Sequence, residues 1–281
     1  MRPERPLSPS GKDGTRPGRD GRGLVLNVRL ETNSSQLHSG RMFVAVDCRP
    51  ETMSPIFFNT PTSLVPFPIE ENTFMEAKRI SVVMAVYNGS KFLTAQLQSL
   101  VDQNRLPDEL IICDDGSTDA SYDILSEFTK NAPITTRLFQ NDRNLGFSKN
   151  FEKCLGFASG DLVFFCDQDD VWLPTKIDVL VQRFNERPDL MLVIHDGQLV
   201  DHDLTWHGAY KLSQVEALYS QDKFVSGSLS AARKDLIRLA LPIPEGICHD
   251  SWLHALAEAL NARDIFRHRL QLIRRHGDNA S

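Results

Sequence analysis

The sequence predicts an α/β fold in which a mostly parallel central sheet lies between two layers of helices. From Arg79 onward, apolar runs of strand length alternate with segments whose apolar residues recur at helical spacing. The runs are continuous rather than alternating, as strands covered on both faces require. Repeated units of this kind build a doubly wound sheet whose strand ends meet at one edge, where ligands bind.

Five strands and four helices follow in order from this pattern. We expect Ser117, Thr118 or Asp119 to cap the second helix, Phe147 to face inward on the third, and Pro174 to open the fourth. The strands are "ISVVMAVYN", "ELIICDD", "TTRLFQN", "DLVFFCD" and "LMLVIHD"; the first three helices are "KFLTAQLQSLVDQ", "STDASYDILSEFTK" and "FSKNFEKCLGFA".

Beyond Asp196 the pattern loosens. The stretch "GQLVDHDLTWHGAY" is typical of a loop, "FVSGSLSAAR" of a strand, "DSWLHALAEALNA" of a helix, and "DIFRHRLQLIRRH" alternates like a strand. Residues 1–78 differ from the rest: a Pro-, Gly- and Arg-rich opening predicts a disordered leader, with two β-like runs, "LVLNVRL" and "MFVAVDC". The organised domain is therefore expected to be 79–281.

Composition excludes some functions. The net charge is −6 and the pI about 5.8, so no overall basic field favours nucleic acid. The five cysteines are scattered without a CxxC pair, which predicts buried free thiols in a reducing, cytoplasmic compartment. No apolar stretch reaches the roughly 20 residues that a membrane-spanning helix needs.

Acidic residues follow two of the strands. Asp167, Asp169 and Asp170 come directly after "LVFFC", and a D-x-D spacing at a strand end suits Mg²⁺ or Mn²⁺, which prefer oxygen ligands. An isolated D-x-D is also common in turns. In "DDGSTD", a strand–turn–helix explains Asp-Gly and Ser-Thr-Asp, but not the adjacent Asp114 and Asp115, one of which could accept the imide N–H of a pyrimidine.

Four motifs in this order resemble family 2 glycosyltransferases of the GT-A fold. They are "SVVMAVYNGSKFLTAQLQSLVDQ", "LIICDDGSTD", "NLGFSKNFEKCLGFASGDLVFFCDQDDVWLPTK" and "CHDSWLHALA", and the last two are most similar to the bacterial rhamnosyltransferase-like branch. The resemblance covers residues 79–281. It implies a Rossmann-like αβα sandwich with a nucleotide-binding half, 79–170, and an acceptor-binding half, 171–281.

The resemblance also implies an activity. A hexosyl or rhamnosyl unit would move, with inversion, from a UDP- or dTDP-sugar to a hydroxyl of a glycan or lipid-linked acceptor. Mg²⁺ or Mn²⁺ would assist, in bacterial surface polysaccharide synthesis and with peripheral membrane association. Asp250 would be the general base; Ala85, Tyr87, Asp114, Asp115, Lys149, Asn150, Asp167 and Gln168 would bind the donor; Asp167, Asp169 and His276 the metal; His249, Trp252 and Trp172 would lie on the acceptor side.

Alternatives remain at this stage. Asp250 could be merely a helix N-cap, Trp172 and Trp252 could be core residues, and Asp170 could cap the turn before Pro174. "DQDDV" also fits the D-x-D-x-[TV] of haloacid-dehalogenase-type phosphatases, although that motif normally ends the first strand of its domain. A catalytically inactive nucleotide-binding relative is the third reading. Ser251 stands where close relatives often carry an aromatic residue, and relatives often continue beyond the position of Ser281.

Overall fold

The structure, a computed structural model, describes residues 78–276 and three strands nearer the N-terminus. These strands, β1 (Leu26–Glu31), β2 (Phe43–Cys48) and β3 (Ile56–Phe57), pair antiparallel in that order. The first two coincide with the β-like runs of the leader. The rest of residues 1–77 lies outside the described residues, and so does the predicted disorder of that segment.

Residues 78–276 form a nine-stranded sheet with helices on both faces, which confirms the predicted fold class. The strands are β4 (Ile80–Val86), β5 (Glu109–Asp114), β6 (Thr136–Gln140), β7 (Leu162–Cys166), β8 (Val171–Trp172), β9 (Leu192–Val200), β10 (Trp206–Tyr210), β11 (Ser230–Arg233) and β12 (Arg263–Arg274). The helices are α1 (Ser90–Val101), α2 (Ser121–Asn131), α3 (Phe147–Phe157), α4 (Lys176–Glu186), α5 (Lys211–Glu216), α6 (Lys234–Ala240) and α7 (His249–Ala259), with a 3₁₀ turn at Gln221–Lys223.

The strands lie in the order β6-β5-β4-β7-β11-β9-β12-β8, and β10 pairs with β9. The strands β4, β5, β6, β7, β9 and β12 run in one direction, whereas β8, β10 and β11 run in the other. The antiparallel β11 separates β7 from β9, so the predicted fifth strand is not the direct neighbour of the fourth.

Alternation along β4 shows how the sheet builds two cores. Val82 and Met84 point into an apolar cluster with α1 and α4, while Val83 points into a second cluster with α3, α6 and α7. All three side chains are fully buried. Because successive strand residues face opposite sides, a strand covered on both faces must be apolar throughout, and this is why the continuous runs identified the strands.

Parallel pairing brings the polar strand ends together. Val86 pairs with Asp114 on β5, and Met84 pairs with Cys166 on β7. The residues that follow these strands therefore emerge side by side at one edge of the sheet, as the topology of an open α/β sheet predicts.

The prediction of a loop over residues 197–210 was wrong. β9 continues to Val200 and forms a hairpin with β10, closed by Asp201, whose carboxylate accepts hydrogen bonds from the backbone N–H of Asp203 and Thr205. Gly197 allows this continuation, because a Cβ there would lie 2.6 Å from Ile273 Cδ1 on β12. Gly197 and the polar Gln198 interrupt the apolar run, so the sequence pattern did not indicate a strand here.

Two helix starts also differ from the prediction. Ala120 is the N-cap of α2, and Ser117 Oγ accepts from the Asn88 N–H (2.9 Å) in the loop after β4. The Asp119 carboxylate accepts both from the Ser90 N–H (3.1 Å) and from the N–H of Ser121 (2.9 Å), the first residue of α2. Phe147, the first residue of α3, is exposed rather than inward-facing, and α4 begins at Lys176, two residues after Pro174.

Four of the cysteines are free thiols. Cys113, Cys154 and Cys166 are buried free thiols as predicted, whereas the free thiol of Cys248 is exposed. Within the part of the chain that the structure describes, none of the helices has both the length and the apolarity to cross a bilayer.

Two glycines give opposite predictions for stability. A Cβ at Gly160 would lie 2.6 Å from Ser81 N and 2.8 Å from Arg79 O, which are backbone atoms that cannot easily move. We expect Gly160→Ala to lower the free energy of unfolding by about 2 kcal/mol in urea titrations. Gly156 lies within α3, and a Cβ added there would have no neighbouring atom within 4 Å, so Gly156→Ala should raise that free energy by up to about 1 kcal/mol. Equal effects of the two substitutions would contradict this packing.

Candidate active site

Three carboxylates gather immediately after β7. Asp167, Asp169 and Asp170 each place a ligand oxygen within 4.8 Å of the others, which is the spacing of residues that share one cation. Asp167 and Asp169 are half-buried, and Asp170 is buried. The strand end therefore carries a dense negative charge directed at the edge of the sheet.

The charges in this cluster perturb one another. Burial, then the charge of Asp169, raises the pKa of Asp167 to about 7; Asp250 adds to the rise, and hydrogen bonding by Ser228 and the charge of Lys176 oppose it. Burial, then the charges of Asp169 and Asp167, raise the pKa of Asp170 well above its usual range. Like charges this close favour protonation unless a cation compensates them, so these residues fit a divalent metal ion.

Asp170 does not cap the turn into α4. Gln271 Nε2 donates to its Oδ2, and the backbone N–H of Arg274 donates to Oδ1 at 3.0 Å. Both donors belong to β12, so Asp170 joins the loop after β7 to the strand that closes the fold. Its oxygens are used in this way, and Asp167 and Asp169 are better placed to hold a metal.

His276 follows β12 and lies beside this cluster. Its Nε2 is 2.9 Å from Asp169 Oδ2, and its ring packs against Phe92 with the centroids 4.6 Å apart. The Arg274 guanidinium covers Phe92 at 4.6 Å from the ring centroid and donates from Nε to Asp169 O at 2.9 Å. The structure thus places His276 next to one of the predicted metal ligands.

Lys176 was missed by the sequence analysis. It is fully buried below the cluster, where Nζ donates to Gln271 Oε1 (2.6 Å) and Ser228 O (3.0 Å) and lies 3.7 Å from the centroid of the Trp172 ring. Burial lowers its pKa to about 7, against the opposing charges of Cys166, Asp170 and Asp167. A lysine two residues after Pro174 reads as a solvated helix residue, so nothing in the local pattern distinguished it.

Tyr87, directly after β4, is 44% exposed at the same edge. Gln168 holds its backbone on both sides: Tyr87 N donates to Oε1 at 2.8 Å, and Nε2 donates to Tyr87 O at 3.0 Å. A Cβ at Gly89 would lie 2.5 Å from Gln168 Oε1, so that glycine makes room for the clamp. Both polar atoms of the Gln168 amide are therefore bonded to the protein backbone. The aromatic ring of the adjacent Tyr87 remains accessible to a ligand.

Asp114 and Asp115 are both buried but engaged differently. The Asp115 carboxylate accepts from the backbone N–H of Leu145 (2.8 Å) and Gly146 (2.9 Å), and from Asn141 Nδ2 (2.7 Å), so it fixes the loop before α3. Asp114 uses only Oδ2; among the described residues its buried Oδ1 has no hydrogen-bond partner. Asp114 thus retains an unused acceptor oxygen, which lies below the surface.

Three other predicted donor residues lie on α3 or beside it. Asn150 is buried, donates to Cys113 O at 2.7 Å and accepts from Asn141 at 2.9 Å, so its amide supports the sheet. Lys149 is exposed and pairs with Glu152 at 2.6 Å. Ala85 is partly buried among apolar residues on the α3 face of β4. The assignment of these three to donor binding rests on the resemblance alone.

Asp250 lies near the metal-binding cluster although it is distant in sequence. It is the second residue of α7, whose N-cap is Cys248, so the N-cap alternative is wrong. The backbone N–H of Ser251 donates to its Oδ1 at 2.7 Å. Its charge contributes to the raised pKa of Asp167. Ser228 hydrogen-bonds Asp167, and a Cβ at the adjacent Gly227 would lie 3.7 Å from Asp250 Cβ, so both carboxylates adjoin this segment.

His249, immediately before Asp250, is buried in an aromatic cluster. Its ring stacks on Phe151 with centroids 4.3 Å apart and on Phe165 at 5.9 Å. Within the described residues neither ring nitrogen has a hydrogen-bond partner. Burial lowers its pKa to about 4, against the opposing charge of Asp250. The imidazole is therefore neutral at pH 7 and packs as an aromatic ring among Phe151 and Phe165.

Two of the predicted acceptor-side residues are core residues instead. Trp172 and Trp252 are 2% and 3% exposed. Trp252 Nε1 donates to Ala240 O at 2.9 Å, and Trp172 packs on Phe164. Trp172 lies on β8, which pairs with β12, and Trp252 packs in the apolar cluster that α7 forms with α6. The exposed tryptophan is Trp206, which the sequence analysis did not single out.

The family model for glycosyl transferase family 2 matches residues 81–239, more than half of the chain. The chain belongs to glycosyl transferase family 2. The matched segment starts in β4, contains the whole acidic cluster and ends in α6. Membership of the narrower rhamnosyltransferase-like branch stays a prediction.

Curated relatives agree with the family over part of their length. An uncharacterized glycosyltransferase of Nostoc sp. is 33% identical over 124 residues, which cover 44% of this chain and 38% of the relative. The chondroitin synthase of Escherichia coli is 28% identical over 172 residues, or 57% of this chain and 23% of that protein. The chain spans less than half the length of these relatives.

Solved structures confirm the GT-A fold. Staphylococcus aureus TarS 1–349 in complex with UDP-GlcNAc has a TM-score of 0.60 at 19% identity, covering 72% of this chain and 60% of TarS 1–349. The mannosyltransferase PcManGT of Pyrobaculum calidifontis, in complex with GDP-Man and Mn²⁺, has a TM-score of 0.55 at 15% identity, covering 71% and 57%. At these identities the likeness establishes the fold.

Burial of His249 predicts a dependence of stability on pH. Its pKa is about 4 when folded and near 6.5 when unfolded, so the unfolded chain binds more protons between these values. The contribution is complete above pH 6.5 and is lost as the pH falls through 4. We expect this residue to account for a loss of about 3 kcal/mol between pH 7 and pH 4.

Urea titrations of His249→Leu across that range should lack this part of the pH dependence. Phe151→Leu is the matched control, because it disturbs the same aromatic cluster without removing a titrating group; it should be less stable at every pH with the wild-type slope. Parallel profiles for wild type and His249→Leu would show that the imidazole titrates alike in both states.

Proposed function

We propose that the protein is an inverting glycosyltransferase that moves a sugar from a nucleotide-diphosphate donor to an acceptor hydroxyl by a single displacement. The observation that carries the proposal is that two acidic groups adjoin Gly227 and Ser228: the Asp167–Asp169 cluster at the end of β7 and Asp250 at the start of α7. One group suits a leaving diphosphate held through a metal, and the other suits deprotonation of the attacking hydroxyl.

The donor side of the site would hold the nucleotide. Tyr87, exposed at the end of β4, would face the base. Asp114, whose buried Oδ1 has no hydrogen-bond partner among the described residues, would accept the imide N–H of a pyrimidine. Asp115 would act mainly by fixing the loop at Leu145 and Gly146. A pyrimidine requirement favours UDP- or dTDP-sugars as donors.

Asp167 and Asp169 would hold Mg²⁺ or Mn²⁺, with His276 completing or supporting the set through Asp169. When bound, the cation supplies neutralisation of the charge that develops on the departing diphosphate. Asp170, Gln271 and Lys176 would keep the loop in place by joining it to β12. The raised pKa of Asp167 supports this assignment, since a cation would relieve the repulsion that causes it.

Asp250 would take the proton from the acceptor hydroxyl. It adjoins Gly227, next to the Ser228 that hydrogen-bonds Asp167. Direct attack by the acceptor opposite the leaving group would invert the anomeric centre.

The phosphatase alternative is not favoured. Its nucleophilic aspartate normally follows the first strand of the domain, whereas Asp167 follows β7, the fourth strand of the α/β region, and the chain belongs to another family. An inactive relative is not favoured either, because Asp114, Asp167, Asp169 and Asp250 are all retained at one edge.

We infer that the acceptor is a glycan or lipid-linked saccharide and that the transferred unit is a hexose or rhamnose, for a bacterial surface polysaccharide. Neighbouring folds that bind UDP-GlcNAc or GDP-Man support a nucleotide-sugar donor. The buried free thiols of Cys113, Cys154 and Cys166 support a cytoplasmic reaction, at or near the membrane face when the acceptor is lipid-linked.

Replacement of the base should separate binding from catalysis. Asp250→Asn keeps the size of the side chain but removes the proton acceptor, so we expect kcat to fall by a factor of about 10³ or more. The Kd for nucleotide-sugar, measured by calorimetry, should change less than about threefold. Asp235→Asn, at an exposed position of α6 paired with Arg238, is the control and should leave both unchanged. An equal loss of binding and turnover in Asp250→Asn would contradict the role of a base.

Replacement of a metal ligand should give a different pattern. Asp169→Asn should raise the Mn²⁺ concentration required for half-maximal nucleotide binding by about tenfold or more, because an amide is a weaker ligand than a carboxylate. Asp178→Asn, exposed on α4, is the matched control. Titration of Mn²⁺ into each variant with UDP or dTDP, followed by thermal shift, measures the effect. Metal-independent nucleotide binding in the wild type would overturn the metal assignment.

A further inference from the structure

An aromatic pair, the exposed Trp206 and the half-buried Tyr210, lies on the hairpin that the sequence analysis missed. Trp206 begins β10 and is 47% exposed, and Tyr210 ends the strand with its ring centroid 5.4 Å from that of Trp206 at an interplanar angle of 36°. The register between β10 and β9 shifts between these residues, and Gly208 has a φ of 87°. This bulge brings the two rings together; we call them the aromatic platform.

The platform is held rigidly although it is exposed. Trp206 Nε1 donates to Ala209 O at 3.1 Å, which fixes the indole. The Arg269 guanidinium lies 3.7 Å from the centroid of the Tyr210 ring and 3.9 Å from Asp196 Oδ2. Asp196 in turn accepts from the Leu212 N–H at 2.9 Å, which positions α5 behind the rings. Preorganised aromatic surface of this kind binds ligands without paying to order it.

The hairpin is also connected to the metal-binding loop. Arg274 donates to the carbonyl of His202 in the β9–β10 turn and, through Nε, to Asp169 O at 2.9 Å. The backbone N–H of Arg275 donates to Val200 O at 2.8 Å. The platform therefore keeps a fixed position relative to Asp169, as the binding surface for a reacting partner should.

The chemistry of the platform favours a saccharide over a lipid surface. Flat aromatic faces pack against the C–H faces of pyranose rings, and the hydroxyl groups stay in water. Most charged side chains nearby are paired with an opposite or polar partner: Arg269 with Asp196, Arg267 with Glu216, and His207 with Asp201. Among the described residues Lys211, which lies next to Tyr210 and near Arg275, is the exception. A surface of mostly paired charges attracts anionic lipid less than a cluster of basic residues does.

We propose that Trp206 and Tyr210 form a carbohydrate-binding subsite that holds a pyranose ring of the glycan acceptor. The role of the bound saccharide as acceptor rests on the proposed function. Saccharide binding itself requires neither nucleotide nor metal. Arg269 is a positioning residue for Tyr210. Trp206 is the residue at which an aromatic ring and an aliphatic side chain should bind the saccharide with different affinity.

Intrinsic fluorescence tests the subsite directly. The chain has three tryptophans, and Trp172 and Trp252 are buried, so quenching by acrylamide reports on Trp206. The probes are cellohexaose, chitohexaose and maltohexaose, added to the full chain without nucleotide or metal. We expect at least one hexasaccharide to shift the emission to shorter wavelength and to protect the fluorescence from acrylamide.

Variants separate stacking from general burial. In isothermal titration with the protecting hexasaccharide, Trp206→Leu should weaken binding by about tenfold or more, whereas Trp206→Phe should lose less because a flat ring remains. Tyr210→Leu should weaken binding as well. Tyr122→Ala, at an exposed position on α2 across the sheet, is the matched control and should keep the wild-type affinity. Circular dichroism confirms that each variant is folded.

Three results would overturn the subsite. These are the absence of protection by all three hexasaccharides, protection only by vesicles of phosphatidylglycerol and phosphatidylcholine, and equal affinities for Trp206→Leu and Trp206→Phe. Failure of the proposed function looks different: saccharide binding would persist while metal-dependent binding of UDP and dTDP was absent. Conversely, loss of saccharide protection with intact nucleotide binding would reject the subsite and keep the glycosyltransferase.

Discussion

The carboxylate of Asp170 and its two bonds to β12 hold the site together. The strand β12 pairs with β9 and β8, so it closes the sheet, and it also delivers Gln271, Arg274 and His276 to the loop after β7. A buried carboxylate is costly without donors, and here the donors come from a strand about a hundred residues later in the chain. The position of the loop that carries the three aspartates therefore depends on β12.

The same bonds explain the electrostatics of the edge. Because Asp170 is held against β12, Asp167 and Asp169 are forced close together, and burial with mutual repulsion raises the pKa of Asp167. Lys176 approaches from below but is occupied by Gln271 and Ser228, so it offsets this charge only in part. The remaining negative charge faces the edge of the sheet, where a metal and the phosphates of a donor would be accommodated.

The sequence was informative where one segment determines its own environment. Continuous apolar runs identified β4, β5 and β7, and their parallel pairing placed the polar ends together. It was uninformative where contacts are long-range: the burial of Lys176 depends on β12, the enclosure of Trp252 on α6, and the strand after Gly197 on close approach to Ile273. Even Asp115, prominent in the sequence, proved to be bonded to the distant loop at Leu145 and Gly146.

This division follows the chemistry across the sheet. The side formed by β4 and β5 is built from local strand–turn–helix units, in which Asn88, Ser117 and Asp119 bond neighbouring loops and leave Tyr87 exposed. The opposite side is built from the hairpin β9–β10, β11 and β12, whose positions relative to the metal-binding loop depend on single side chains such as Arg274. Changes in the hairpin can therefore alter the surface next to the site while Asp167 and Asp169 stay in place, and this is the arrangement a family needs to change acceptors and keep its donor chemistry.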